Sequence, residues 1–270
     1  MTISKMYGTA VMLKHIFALL FCGLLLLTGS GCSESGPDNK FTVGFDADFP
    51  PYGYVENGEY KGLDLDLARE VARRNGWEIE LKPINWDAKD MELNSGSIDC
   101  IWNGFTMNGR EDAYEWSEPY AYNRQVVMTK KDSGINSLSD LAGKIVAVQT
   151  DTPVQKALIA GGSREDLGRS FKQLVVSPNY NNAVMELEAG SIDAVAMDIG
   201  VAELKQRGRE DFIILSEPVI FEEYGIGFRK GNVALRDTVQ KTLKEMVADG
   251  TAAAISGKYF NGENVITLQP

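Results

Sequence analysis

The sequence predicts an α/β protein built of two similar lobes. Two observations predict it. Short β-rich runs alternate with segments of helical apolar periodicity along most of the chain, and two pieces of the first half are echoed, in the same order, in the second.

Phe41 to Phe45 reads as the first strand. Leu63 to Asn75 reads as a helix, because Leu63, Leu67 and Val71, joined by Leu65, Ala68 and Ala72, recur at three- and four-residue spacing until Gly76 stops them. Trp77 to Ile84 alternates and reads as a strand. So do Ile98 to Trp102, Gln125 to Thr129, Ile145 to Val148, Leu174 to Val176 and Ala194 to Met197. Helical stretches are expected over Val154 to Ala160, Asn182 to Ala189, Val201 to Gln206 and Leu235 to Ala248.

The echoes carry more than any single element. Leu93-Asn-Ser-Gly96-Ser-Ile-Asp99-Cys-Ile101 returns as Leu187-Glu-Ala-Gly190-Ser-Ile-Asp193-Ala-Val195. Val43-Gly-Phe-Asp-Ala-Asp48-Phe49-Pro50 returns as Val146-Ala-Val-Gln-Thr-Asp151-Thr152-Pro153. Taken alone, Gly-Ser-Ile-Asp is a common helix-to-strand turn; two echoes in one order favour two lobes of like build. Asp46 to Phe49 and Gln149 to Thr152 then follow the first strand of each lobe, while Asn103-Gly104 and Asp198 end another matched pair. Open α/β sheets bind ligands beyond the carboxyl ends of their strands, so facing lobes bring all four loops to one cleft.

The N-terminus is of a different kind. Lys5 and Lys14 precede an apolar run from Ile16 to Leu27, then Thr28-Gly29-Ser30-Gly31-Cys32, the order of a secretory signal. The run is short of the roughly twenty apolar residues that span a bilayer. A cysteine after Gly-Ser-Gly resembles the bacterial lipoprotein signal, in which Cys32 becomes the acylated N-terminus, although Gly29 stands where that family prefers leucine. A plain signal cut nearby or an uncleaved anchor is the alternative, and Met12 offers a second start. Residues 32–40 read as a polar tether.

Removing residues 1–31 takes away two lysines and no acids, so the formal charge of −11 becomes −13 over 239 remaining residues. An acidic chain without a basic run disfavours nucleic acid. The one histidine, His15, leaves with the signal, and of three cysteines only Cys32 and Cys100 remain. Neither a zinc cluster nor a Cys/His nucleophile can be built, and no metal or cofactor is expected.

Gly62-Leu63-Asp64-Leu65-Asp66-Leu67, followed by Ala-Arg-Glu-Val71-Ala72, closely resembles the signature of the polar amino acid family of bacterial solute-binding proteins. The resemblance runs from about Phe41 to Phe260. It takes in Gly44 to Tyr52, Gly104-Phe-Thr106 with Arg110, Trp116-Ser-Glu-Pro-Tyr120, Gly143 to Val148, Met197-Asp198 and Asp249-Gly-Thr251. It implies a type II periplasmic-binding-protein fold, with residues 40–124 and 223–270 in lobe 1, 125–222 in lobe 2, and a hinge of two crossings near Asn123–Val126 and Val219–Tyr224. It implies an extracytoplasmic, lipid-anchored receptor that delivers a free amino acid to the permease of an ATP-driven importer, without catalysis.

The resemblance also implies roles for individual residues. Arg110 grips the ligand α-carboxylate through paired N–H donors, Asp198 takes the α-ammonium, Thr106 and Thr152 add carboxylate donors, and the Gly104 carbonyl accepts from the ammonium. Phe49 packs on the ligand side chain; Tyr52, Trp86 and Phe105 stand near pocket-wall positions where an aromatic is equally at home in the core. Trp102 and Cys100 are expected in the core. Asp46 with Gln149 opposite suggests a polar or cationic ligand, with loop capping as the alternative for Asp46. Two departures stand out. The step from Thr106 to Arg110 is four residues where the family has five, and Asp151 stands where glycine is common. Two other activities are compatible with the fold: a cyclohexadienyl-type dehydratase, using Asp46 or Asp151 as the acid, and a sensory module for a separate receptor.

Overall fold

The computed structural model describes residues 39–270. The expected signal (1–31), Cys32 and most of the tether lie outside the described residues. The elements are β1 (Lys40–Phe45), β2 (Asp48–Phe49), β3 (Gly53–Glu56), β4 (Glu59–Lys61), α1 (Leu63–Asn75), β5 (Glu78–Pro83), α2 (Lys89–Ser95), β6 (Cys100–Thr106), β7 (Glu115–Trp116) and β8 (Ala121–Lys130). They continue with β9 (Ile145–Gln149), α3 (Pro153–Leu158), α4 (Glu165–Ser170), β10 (Gln173–Ser177), α5 (Tyr180–Ala189), β11 (Ala194–Asp198), α6 (Ile199–Gln206), β12 (Phe212–Ile214), β13 (Ile220–Phe228), α7 (Val233–Ala248) and α8 (Thr251–Tyr259).

The main sheet runs β10-β9-β11-β8-β13-β6-β1-β5, with β12 added to β8 and β7 to β13. Read from either edge the pattern is the same. Three parallel strands (β10-β9-β11, or β5-β1-β6) are followed by one antiparallel strand, β8 or β13. β8 and β13 pair antiparallel with each other, from Ala121 opposite Tyr224 to Gln125 opposite Ile220. The chain therefore passes from one half to the other along β8 and returns along β13.

The echoed motifs occupy equivalent places. Gly96 and Gly190 both end a helix in the left-handed conformation, with φ of 79° and 76°. The carboxylates that follow do the same work: Asp99 accepts from the Thr42 amide and Asp193 from the Ile145 amide, each at 2.7 Å. Each acid so ties the start of one parallel strand to that of the first strand of its half, which is why Asp recurs at that step.

α1 follows the apolar spacing residue for residue. Leu63, Leu65, Leu67, Ala68, Val71 and Ala72 are buried, Asp64 and Asp66 lie in the first turn, Arg73 and Arg74 in the last, and Gly76 closes it with φ 68°. Burying each leucine contributes about 1.5–3 kcal/mol. Its core includes Phe41, Val43, Cys100 and Trp102, all within 1% of full burial, as expected for Cys100 and Trp102. Burial also pushes the Cys100 thiol pKa upward. The second half has its own cluster from Val127 to Val219, centred on Leu141, Val146, Val148 and Val154.

Several elements depart from expectation. α3 stops at Leu158, two residues early, where the chain turns out ahead of Gly161 and Gly162 and α4 packs back on it. β13 is a strand that was not expected, since glycines interrupt its pattern. Those glycines are close approaches: a Cβ on Gly225 would meet Met107 Sδ at 2.6 Å, and one on Gly227 would meet the Phe105 ring at 2.8 Å. The β3–β4 hairpin was signalled by Asn57-Gly58, whose φ values of 54° and 80° suit a two-residue turn.

Candidate ligand-binding site

The strand ends β1, β6, β9 and β11 meet at one small cavity, lined by Asp46, Phe49, Trp86, Asn103, Gly104, Thr106, Arg110, Gln125, Gln149, Thr152, Pro153 and Asp198. A broader surface groove around Pro51, Glu203, Arg207 and Tyr259 carries none of the expected binding residues.

Arg110 sits on a tight turn. Its amide bonds to the Met107 carbonyl at 2.9 Å and Gly109 adopts φ 75°, so the four-residue step from Thr106 is a closed turn that keeps the side chain on the cavity. Nη1 donates to the Thr106 carbonyl at 3.2 Å and Nη2 to the Asp151 carbonyl at 2.7 Å. The guanidinium carbon lies 5.0 Å from the centroid of the Phe105 ring. The side chain is thus held mainly by neutral carbonyls and an aromatic face, which leave its charge free for an anion. The Asp151 carboxylate comes only to 3.8 Å.

Asp151 explains its own departure. Its φ of 49° is in the left-handed region, where glycine is at ease and aspartate is tolerated. Its carboxylate pairs with buried Lys89 and, at 2.9 Å, with Lys156. Burial pushes its pKa up, but Lys89, Lys156 and Arg110 together hold it below the usual aspartate range. Lys89 and Arg110 belong to the half that carries β1, Asp151 and Lys156 to the half that carries β9. The loop therefore ties the halves together. Asp46 Oδ2 accepting from Gln149 Nε2, and Asp48 Oδ1 from Asn181 Nδ2, both at 2.8 Å, do the same. Asp151→Gly should leave the ligand-free protein more extended, read as a larger radius of gyration in small-angle scattering; an unchanged radius would contradict the latch.

Asp198 ends β11 and is 2% exposed. Its Oδ1 accepts from Asn123 Nδ2 at 2.7 Å and from the Tyr224 hydroxyl, and Oδ2 from the Tyr180 hydroxyl at 3.2 Å. Burial raises its pKa against these donors. Asp46, also raised by burial, caps its own loop through the Asp48 amide at 2.9 Å and accepts from Gln149 as well. The Thr152 hydroxyl donates to the Gln149 carbonyl at 2.8 Å and caps α3.

Gly104 has φ 54°, and a Cβ there would meet Phe49 at 2.9 Å and Tyr224 at 3.2 Å. Its amide donates to Asp64, a buried acid whose other donor is the Tyr120 hydroxyl at 2.8 Å; burial raises Asp64 to about 7. Gly104→Ala should lower stability by about 1–3 kcal/mol and weaken ligand capture, checked by melting and titration; wild-type values in both would contradict the close packing.

The sequence model of the bacterial extracellular solute-binding proteins, family 3, matches residues 41–262. The chain belongs to that family. Among its relatives, the arginine-binding extracellular protein ArtP of Bacillus subtilis is 30% identical over 259 residues, 90% of this chain and 95% of that one. A substrate-binding protein of an ABC uptake transporter from Streptococcus pneumoniae, solved with bound histidine, superposes with a TM-score of 0.80 at 31% identity, over 85% of this chain and 95% of that one. The ancestral amino acid-binding protein AncCDT-1, a precursor of cyclohexadienyl dehydratase, superposes at 0.74 with 29% identity, over 82% and 96%. The fold is the type II periplasmic-binding-protein fold.

Within this family 3 protein, nine of the eleven expected binding residues line the cavity. Tyr52 and Phe105 do not, and take the core alternative instead. Phe105 lies between Gly104 and Thr106 on β6, so its side chain turns to the opposite face, where it packs against Trp86, Tyr114 and Trp116 with ring centroids 4.9–5.5 Å away. It supports the site from behind, as the ring beneath Arg110 and against Trp86. Tyr52 packs edge-on to Tyr224 at 5.3 Å and beside Phe49 at 5.5 Å, one layer behind the lining. Three lining residues were not among those expected: Asn103, Gln125 and Pro153. Asn103 precedes Gly104 on β6, and that position was its signal; Gln125, within a crossing strand, gave none. Among the described residues no group of three or more His, Cys, Asp or Glu could hold a metal.

Proposed function

We propose that the chain is the extracytoplasmic receptor of an ABC amino-acid importer, closing lobes 40–124 plus 223–270 and 125–222 around one free L-amino acid with a polar, and preferentially cationic, side chain. One observation carries this reading: one cavity presents a guanidinium, Arg110, and two carboxylates, Asp46 and Asp198. A zwitterion takes up Arg110 and Asp198. The remaining acid is then balanced by a cationic side chain lying between Phe49 and Trp86, since buried charges are stable only when paired. The arginine- and histidine-binding relatives favour the same class.

In the mechanism, the open protein meets the ligand through lobe 1, where Arg110 and the Thr106 and Gly104 backbone lie. Bending at β8 and β13 then brings Asp198, Gln149 and Thr152 onto it. Closure proceeds to the extent that the ligand binds the closed state better. Cys32 is the proposed lipid attachment, with residues 32–40 as tether and the importer's permease as partner.

A thermal-shift screen of the standard amino acids with ornithine and cystine tests the reading. L-arginine, L-lysine, L-ornithine or L-histidine should raise the midpoint most, since ligand at a hundred times its Kd adds about 2.7 kcal/mol. Asp46→Asn should reduce that preference for cations. A response confined to aliphatic amino acids would defeat it. The raised pKa of Asp46 favours one other reading, a dehydratase with Asp46 as acid. Turnover of prephenate or arogenate would establish that instead.

A further inference from the structure

A second carboxylate lies behind Asp198 that the binding reading does not use. Alternation along the crossing strands turns Tyr122, Arg124 and Phe221 outward and Asn123, Gln125 and Glu222 inward. Asn123 and Glu222 are direct cross-strand partners. Asn123 Nδ2 donates to Asp198 Oδ1 and to Glu222 Oε2, each at 2.7 Å, so these two carboxyl oxygens are no more than twice that apart. Gln125 Nε2 adds a 3.0 Å bond to Glu222 Oε2. Both acids are 2% exposed, and among the described residues neither forms an ion pair with a lysine or arginine.

The donors that reach the pair are all neutral amides and hydroxyls. From β13 and α5 come the hydroxyls of Tyr224 and Tyr180, both donating to Asp198; from the loop after β2 comes Tyr52; the positive charge they feel is that of Arg110. Glu222 Oε1, Asn123 Oδ1 and Gln125 Oε1 are buried without a donor. Two ionised carboxylates this close, dry and without a cation repel, whereas one proton supplies the missing donor and removes the repulsion.

We propose that Asp198 and Glu222 hold one proton between them, and that the ammonium group of an arriving amino acid displaces it, so that capture releases a proton. The step balances. The O–H of the pair breaks and its proton goes to solvent, the pair passes from one negative charge to two, and the ligand ammonium offsets the added charge. Burial and the neighbouring Asp198 charge, which raise Glu222 to about 8, agree with a proton held at neutral pH. The inference rests on the amino-acid reading for its second half only.

Two measurements test it separately. Infrared difference spectra of the ligand-free protein at neutral pH, wild type minus Glu222→Gln, should show a protonated-carboxyl stretch; Asp64 is present in both and cancels. A flat difference would overturn the shared proton, whatever the protein binds. Titration calorimetry with L-arginine in buffers of different ionisation heat should then show proton release on binding in the wild type and none in Glu222→Gln. Wild-type affinity should rise severalfold per pH unit, and at most about tenfold, between pH 6 and 7.5, while the variant's stays flat. Buffer-independent wild-type heats would overturn the coupling. Absence of arginine binding would count against the amino-acid reading instead, leaving the infrared result to decide on the proton.

Discussion

Replacing Arg110 with alanine is expected to abolish amino-acid capture while leaving the fold intact. The guanidinium meets the Thr106 and Asp151 carbonyls and the Phe105 ring, so its removal leaves neutral groups that the cavity can still solvate. A bound ligand has no such relief, because its carboxylate would be enclosed without a cation. Breaking a buried charge pair in this way costs about 3–5 kcal/mol, a loss of a few hundred-fold or more in Kd. Arg110→Lys should recover part of this, since an ammonium keeps the charge but lacks the planar fork. Calorimetric affinity within threefold of wild type for Arg110→Ala would remove Arg110 from the site.

Asp198→Asn is expected to have the second-largest effect, and of a different kind. Ligand affinity should fall by about 2–5 kcal/mol, because the ammonium loses its anion. The ligand-free protein should be as stable as wild type or more so. Asp198, Glu222 and Asp64 all have pKa values raised by burial. A raised acid contributes stability in full below its unfolded value, near 4, and loses it as pH rises through its folded value. The ligand-free wild type should therefore melt progressively lower between pH 5 and 9, and Asp198→Asn should lose less over that range. A variant that melts lower than wild type at pH 8 would show that Asp198 is structurally required in its charged form.

The parts legible in the sequence are those that one local rule determines. α1 was readable because six apolar residues and a terminating glycine agree on one face and one end. The two Gly-Ser-Ile-Asp segments revealed the pseudo-symmetry because each needs a left-handed cap and an acid for the next strand's amide. Arg110 and Trp86 followed from the family signature, whereas the echoed strand ends already brought Asp46, Gln149 and Asp198 to one cleft. β13 was hidden because its glycines are demanded by Phe105, Trp116 and Met107 packing over the backbone, a contact made a hundred residues away. Phe105 was left open between wall and core, although strand alternation already pointed it away from Gly104 and Thr106. Glu222 gave no signal at all. Its significance comes from pairing with Asn123 across the two crossings, a register that sequence periodicity does not encode.

The most direct test of the central claim is a crystal structure with the amino acid that the thermal screen selects. One molecule should lie in the cavity between Phe49 and Trp86, its carboxylate bonded to Arg110 and its ammonium to Asp198. A ligand bound in the outer groove near Pro51 and Arg207, or one that reaches only one of these two charges, would contradict it.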